Sequence, residues 1–232
     1  MLLKYMLVIT IAATVFSCKK DNYDPPNVTL TGRLTYQGDS IQLEKGAVSL
    51  QIYQFGFGRV GPIGAGFAQD GSYSALLFSG DYKLTVNNGD GPFMWSQKTP
   101  GVPDSISVSL TGNQTVDLEV TPYYLIKASQ IKAVGTDSVN ASFQVQKIIT
   151  DANAKDVEYV ILYINKTQFV AGSNNIASTR LDGSSITDMN NVNLGVHVPA
   201  MTPTQNYVFA RIGLKIANVE DLIFSPLVNV QL

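Results

Sequence analysis

From Val28 onward apolar and polar residues alternate with a period of two, and no long window carries a convincing 3.6-residue apolar stripe. Ile106, Val108 and Leu110 alternate with serines, and Val116, Leu118 and Val120 alternate with Asp117 and Glu119. Each such segment has one dry and one wet face, as in antiparallel sheets packed on one side. Gly, Pro, Asn and Asp punctuate the runs, so the chain reads as all-β with two-layer packing. In the first half the pattern predicts strands at Val28–Tyr36, Ala47–Phe55, Ser72–Phe78, Asp81–Asn87, Ser105–Leu110 and Thr115–Thr121. Thr121-Pro122 marks a boundary, because proline cannot donate to a ladder and a new apolar run begins at Tyr123. The second half predicts strands at Tyr123–Val134, Val139–Ile149, Val157–Ile164, Ile176–Leu181, Leu194–Val198, Tyr207–Ile216 and Ile223–Val230. The expected organisation is therefore two tandem β-sandwich domains, 28–121 and 122–232.

Four spaced motifs in the first half carry a resemblance. Thr31-Gly32-Arg33-Leu34, Gly46-Ala47-Val48-Ser49-Leu50, Asp70-Gly71-Ser72-Tyr73 and Gly80-Asp81-Tyr82-Lys83-Leu84-Thr85-Val86 follow one another in the order found in carboxypeptidase-regulatory-like (transthyretin-like) domains. The physics agrees: Asp70-Gly71 supplies a tight hairpin, and Tyr82, Leu84 and Val86 share one buried face. Despite their name such domains are non-catalytic, so the resemblance implies scaffold or binding duty. In the second half Met201-Thr-Pro203-Thr-Gln-Asn-Tyr207-Val-Phe209 resembles the fibronectin type III signature, which implies a tyrosine corner at Tyr207 within an immunoglobulin-like sandwich. Arg211 breaks the pattern, standing where that family has a core aliphatic, while Val208, Ala210, Ile212, Leu214 and Ile216 take the opposite parity. Either a bulge lies near Arg211 or the strand is buried on both faces.

The amino-terminal segment gives an address. Lys4 is followed by an apolar stretch from Tyr5 to Phe16, too short to span a bilayer as a helix, and then by Ser17 and Cys18. Val15-Phe16-Ser17-Cys18 resembles a bacterial lipobox, which implies removal of residues 1–17 and acylation of Cys18. Lys19 to Asn27 is polar and proline-containing and reads as a tether over residues 18–27. Charged residues after the lipidated cysteine resemble the tag that exports lipoproteins of Bacteroidetes to the outer face of the outer membrane. Taken together, these features resemble a family of two-domain outer-membrane lipoproteins of unassigned function in Bacteroidetes. Its genes commonly lie beside starch-utilisation-type uptake pairs, so the resemblance implies an oligosaccharide or polysaccharide ligand and a TonB-dependent transporter as partner.

Composition narrows the chemistry. The chain has 16 Lys+Arg against 18 Asp+Glu, and charged residues make up 15%, against roughly 25% in an average globular protein. A net charge of −2 with no basic run beyond Lys19-Lys20 disfavours nucleic acid. One Cys and one His exclude disulfide frameworks, Cys/His zinc sites and most nucleophile–base pairs. No metal or cofactor is expected, and the reading is non-catalytic. Gly56-Phe57-Gly58-Arg59-Val60-Gly61 satisfies a dinucleotide fingerprint but lacks the helix that must follow, so it reads as a glycine-rich surface loop. Asp151 to Asp156 lacks the closing Glu of a calcium loop.

The remaining candidates are aromatic. Val48, Leu50 and Ile52 take one face of their strand, which puts Tyr53 and Phe55 on the other, beside the loop with Phe57 and Arg59. Exposed aromatics stack on the apolar faces of sugar rings and also mark protein interfaces. Phe93 and Trp95 either extend this platform or plug the end of the sandwich or the domain junction. Asp39-Ser40-Ile41, Asp104-Ser105-Ile106 and Asp137-Ser138-Val139 resemble the O-glycosylation sequon of exported Bacteroidetes proteins, which makes Ser40, Ser105 and Ser138 candidate attachment sites, although Asp-Ser is also ordinary turn chemistry.

Overall fold

A computed structural model describes residues 24–56 and 61–232. The leader at 1–17, Cys18 with the first part of the tether, and Phe57 and Arg59 lie outside the described residues. The remainder folds as two β-sandwiches.

In the first sandwich Val28–Tyr36 is the centre of one sheet. Ser72–Leu77 and Asp39–Ser40 pair antiparallel along one edge, while Gln114–Thr115 and Leu118–Glu119 pair parallel along the other. The facing sheet runs Ile106–Leu110, Gly80–Val86, Ser49–Gln54, Pro62–Gly66, antiparallel throughout. Leu30, Leu34, Leu50, Ile52, Leu84 and Leu118 are buried between the layers. The Asp70-Gly71 turn is built as its chemistry demands. Asp70 Oδ1 accepts from the backbone N–H (3.0 Å) and hydroxyl (2.6 Å) of Ser72, and Gly71 has φ 77° with its α-carbon against the Ile41 carbonyl, where a Cβ would collide.

The predicted strand Thr115–Thr121 is broken into Gln114–Thr115, Leu118–Glu119 and Thr121–Pro122. Between the first two, Val116 turns its carbonyl over Gly32 and accepts the Tyr73 hydroxyl (2.7 Å), while the Asp117 carboxylate takes the Arg33 N–H (2.9 Å). A side chain thus replaces a rung of the ladder. An edge strand that the pattern does not predict, Pro62–Gly66, follows the glycine-rich segment, with Ala65 turned inward and Gly64 and Gly66 facing out.

The second sandwich packs a three-stranded sheet, Tyr124–Val134, Ser138–Lys147 and Val192–His197, against a larger one. That sheet runs Ala177–Asp182, Val157–Asn165, Tyr207–Ile216, with Leu222–Phe224 and Val228–Gln231 sharing the last strand's outer edge. The predicted strand Ile223–Val230 is split because Pro226 has no N–H to give and Ser225 turns inward, its Oγ accepting the Ile212 N–H at 3.0 Å. The register from Val160 to Asn165 against Phe209 to Leu214 runs past Arg211 without a shift, so the strand is buried on both faces rather than bulged there. Tyr207 forms no tyrosine corner. Its ring lies edge-on to Phe209, its hydroxyl has no partner among the described residues, and Gln205 Nε2 holds the corner through the carbonyls of Lys166 (3.0 Å) and Tyr207 (2.7 Å). The analogous hydroxyl clamp is in the first sandwich, from Tyr82 to the Phe78 carbonyl at 2.8 Å.

The second face of the Arg211 strand meets the first sandwich. Arg211 is 0% exposed and its guanidinium donates only to oxygens that are not carboxylates. Nε reaches Ser225 O (3.3 Å), Nη1 reaches Gln69 Oε1 (3.1 Å), and Nη2 reaches the carbonyls of Leu43 (3.1 Å) and Gln69 (3.3 Å). The Phe224 ring centroid lies 4.2 Å from its Cζ. Burial pulls the guanidinium down to about 10, so it remains a cation at neutral pH. Phe224 N–H to Gln42 O (3.1 Å) and Gly91 N–H to Asp221 Oδ2 (3.1 Å) add to the seam. The chain enters the first sandwich beside Leu77, where Asn27 N–H meets its carbonyl (3.1 Å), and the second sandwich is docked at the opposite end of the Val28–Tyr36 strand, about 26 Å away.

Candidate functional site

Alternation along Ser49–Gln54 decides which side chains leave the core. Leu50 and Ile52 are buried, so Ser49, Gln51 and Tyr53 emerge on the outer face, with Phe55 one step beyond. The Phe55 N–H to Asp81 carbonyl bond (3.3 Å) carries the register past the end of the strand, and Phe55 is 45% exposed. Ser107, Lys83, Tyr53 and Pro62 form one row across the sheet, and Thr85, Gln51 and Gly64 form the next. Lys83 Nζ stands 5.8 Å from the Phe55 ring centroid, and Asp81 Oδ1 accepts the Ser109 hydroxyl at 2.6 Å. The face therefore offers a half-buried tyrosine and an exposed phenylalanine among hydroxyls, an amide and an ammonium, with a bare glycine margin beside Gln51 and Ser49. It is suited to a flat ligand with apolar faces and a polar rim. Among the described residues no group of three His, Cys, Asp or Glu could hold a metal ion.

Phe93 and Trp95 do not belong to this surface; both are core. Phe93 is buried, pairs with Pro122, and lies across Gly91, where a Cβ would touch its ring. Trp95 is 7% exposed, and its Nε1 donates to the Asp104 carbonyl (2.9 Å), which also takes the Thr85 hydroxyl (2.8 Å). They plug the junction end of the sandwich because an indole with its N–H satisfied is more stable buried than exposed. One edge of Trp95 reaches a cleft of about 560 Å³ between the domains, with Glu119 and Asp151 on its walls.

The three candidate glycosylation serines are half-buried, each beside its own aspartate. Ser40 gives its hydroxyl to the Asp70 carbonyl, Ser105 N–H bonds Asp104 Oδ1 (2.8 Å), and Ser138 Oγ bonds Asp137 Oδ1 (3.2 Å). Among the described residues two carboxyls are perturbed. The Ser72 hydroxyl bond holds Asp70 below the usual carboxylate range, whereas burial pushes Asp221 up, only partly offset by the Gly91 N–H.

Sequence reasoning missed an aromatic on the other domain, Phe169, which is 43% exposed beside a cleft of about 350 Å³ at the junction. The available signal was a phenylalanine inside a run of turn formers, Asn165 to Asn175, where no predicted strand could bury it.

Comparison with known proteins gives a family without an assigned activity. No functionally curated protein matches the chain. A protein from Parabacteroides merdae in the DUF3823 family is 35% identical, covers 90% of this chain and 100% of its own, and superposes with a TM-score of 0.77. A relative from Bacteroides ovatus is 26% identical over 88% of this chain and 99% of its own, also at 0.77. A Bacteroides uniformis structure described as a "putative carbohydrate binding protein" is 15% identical, covers 89% of this chain and 100% of its own, and at a TM-score of 0.68 shares the fold. Residues 28–121 match the "Protein of unknown function (DUF3823) N-terminal domain" and residues 124–229 match the "Domain of unknown function (DUF3823_C)", so the chain belongs to the DUF3823 family.

Proposed function

We propose that this protein is a non-catalytic lipoprotein of the outer membrane, anchored through Cys18, displayed outward, and serving a glycan-uptake system by binding oligosaccharide or polysaccharide. The observation that carries the binding role is the Tyr53–Phe55 face, where a half-buried and an exposed aromatic ring stand on the outer side of the sheet among hydroxyl, amide and ammonium groups. Stacking of C–H faces on such rings, with polar groups at the sugar hydroxyls, needs no catalytic machinery. The carbohydrate-binding description of a fold relative points the same way. So does the lipobox-like Val15-Phe16-Ser17-Cys18, which would place the sandwiches at a bilayer surface.

The test is a glycan array followed by calorimetric titration of its hits, using the chain from Asp24 and a Tyr53→Ala/Phe55→Ala variant. Binding that weakens at least tenfold in the variant supports the reading; equal binding by both removes this face from it. A second reading, docking onto a transporter without a ligand of its own, is favoured by one feature. The edge strand Pro62–Gly66 carries no charge, leaves Ile63 40% exposed and is blocked only at its Pro62 end, so Ile63 to Gly66 offer an edge for strand addition. Recovery of a TonB-dependent transporter in a pull-down, with no array hits, would select it.

A further inference from the structure

The exposed Phe169 is not a stray hydrophobic. Gln69 of the first sandwich grips the backbone on either side of it: Nε2 donates to the Gln168 carbonyl (2.8 Å) and Oε1 accepts the Val170 N–H (3.2 Å). Val170 and Ala171 are buried, while Phe169, just before them in a segment outside any strand, is 43% exposed. Asn165 Nδ2 fixes the Phe169 carbonyl at 2.6 Å. Gln69 is in turn held by Arg211, so an exposed ring is locked in place by the most deeply buried polar network of the molecule.

Around the cleft of about 350 Å³ beside this ring stand groups with unused hydrogen-bonding capacity. Lys45 Nζ lies 5.0 Å from the ring centroid. Glu44 Oε1 takes the Ser173 hydroxyl at 3.3 Å from the opposite lip, which leaves Oε2 without a partner among the described residues. Asn174 spends its Nδ2 on Ser173 and keeps its Oδ1 for a ligand, and the Thr167 hydroxyl accepts from Asn165 at 3.3 Å and keeps its proton. The volume falls in the roughly 300–1,000 Å³ of small-ligand sites, and domain junctions are where such sites gather. One carboxylate and one ammonium balance, so the cleft has no charge preference to satisfy with an acidic ligand.

We propose that this junction cleft is a second saccharide site, selective for uncharged sugars, with Phe169 as the stacking surface and Glu44, Asn174, Thr167 and Lys45 at the hydroxyls. It exists only while the two sandwiches are docked, since Glu44, Lys45 and Gln69 come from one and Thr167 to Asn174 from the other. Preorganisation of the ring by the Gln69 clamp removes the ordering cost that a mobile loop would carry.

The proposal rests on the glycan-binding reading above, and the experiment separates the two. The chain from Asp24 is titrated calorimetrically with neutral malto-, xylo- and manno-oligosaccharides and with acidic oligogalacturonides, alongside Phe169→Ala, Phe169→Tyr, Glu44→Gln and Tyr53→Ala. Expected are two sites for a neutral ligand in the parent, one in Phe169→Ala, two again in Phe169→Tyr, and about tenfold weakening of the junction site in Glu44→Gln. Phe169→Ala and Phe169→Tyr alter an exposed ring and should leave the melting temperature unchanged, whereas Glu44→Gln, half-buried and electrostatically coupled to the Arg211 cation, is read by binding alone. If Phe169→Ala binds as the parent does while Tyr53→Ala fails, the junction site is overturned and the glycan reading stands. A preference of the junction site for oligogalacturonides would overturn the assigned ligand class. If the parent binds no saccharide, the glycan reading itself falls and takes the junction site with it.

Discussion

Replacing Arg211 by alanine tests how the two sandwiches are joined, and the cost can be worked from its four acceptors. Gln69 O keeps a donor when the guanidinium is removed, the Leu43 N–H at 3.1 Å, and Gln69 Oε1 keeps the Val170 N–H at 3.2 Å. Leu43 O and Ser225 O have no other donor among the described residues. Each buried acceptor left unpaired costs about 1–3 kcal/mol, so two cost about 2–6 kcal/mol, before the lost packing on Phe224 is counted. Against a typical total stability of about 5–15 kcal/mol this is a large share. Urea denaturation followed by Trp95 fluorescence and far-ultraviolet circular dichroism should give one coincident transition in the parent, because the Arg211–Gln69 network belongs to both sandwiches. In Arg211→Ala the midpoint should fall by the equivalent of about 4 kcal/mol and the two probes should separate. Arg211→Lys should recover little, since a single ammonium cannot reproduce a fork reaching three residues. A loss below about 0.5 kcal/mol for Arg211→Ala, with probes still coincident, would refute the reasoning, because it would mean the carbonyls re-pair at no cost.

Other expectations follow from the same geometry. Gly71→Ala should destabilise by more than about 1 kcal/mol, through its φ of 77° and collision with the Ile41 carbonyl, and thermal melting reads it directly. Tyr73→Phe, which deletes only the hydroxyl bond to Val116 O, should cost about 1 kcal/mol. Asp70, held low by Ser72, adds stability that is present above its ordinary value of 3.8 and is lost as pH falls through the depressed folded-state value; Asp70→Asn should therefore flatten the acid limb of a stability–pH curve. Asp221, raised chiefly by burial, has the opposite sign: its charged form costs stability as pH rises above 3.8, so Asp221→Asn, which can still accept from Gly91, should gain stability at pH 7 and none at pH 3. Cys18→Ser should abolish labelling by alkyne fatty acids in cells, and persistent labelling would contradict the proposed anchor.

What the sequence revealed and what it hid divide along a physical line. Period-two alternation placed Val28–Tyr36 and Tyr207–Ile216 because each strand's inward parity is written in consecutive residues. Asp70-Gly71 was legible because its turn is satisfied locally, by Ser72 two residues on. Pro62–Gly66 was not, since an edge strand of glycines is held by the neighbouring backbone at Ser49 to Tyr53 and not by its own side chains. Phe93 and Trp95 looked equally suited to surface or core, and the partners that fix them there, Pro122 and the Asp104 carbonyl, are brought beside them only by folding. Arg211 showed itself as a break in pattern, but its meaning depended on Leu43 and Gln69, more than 140 residues away. Phe169 was hidden for the same reason: its exposure is imposed by Gln69 from across the seam.

The central claim, that an aromatic sheet face receives sugar, is tested most directly by nuclear magnetic resonance. Backbone amides of the labelled chain would be followed while the tightest-binding neutral oligosaccharide is added. The account predicts saturable shifts at Gln51, Tyr53 and Phe55 and at their ladder partners Lys83 and Thr85, with no change at the Val134 end of the second sandwich. A spectrum in which these five amides stay fixed at saturating sugar would contradict it.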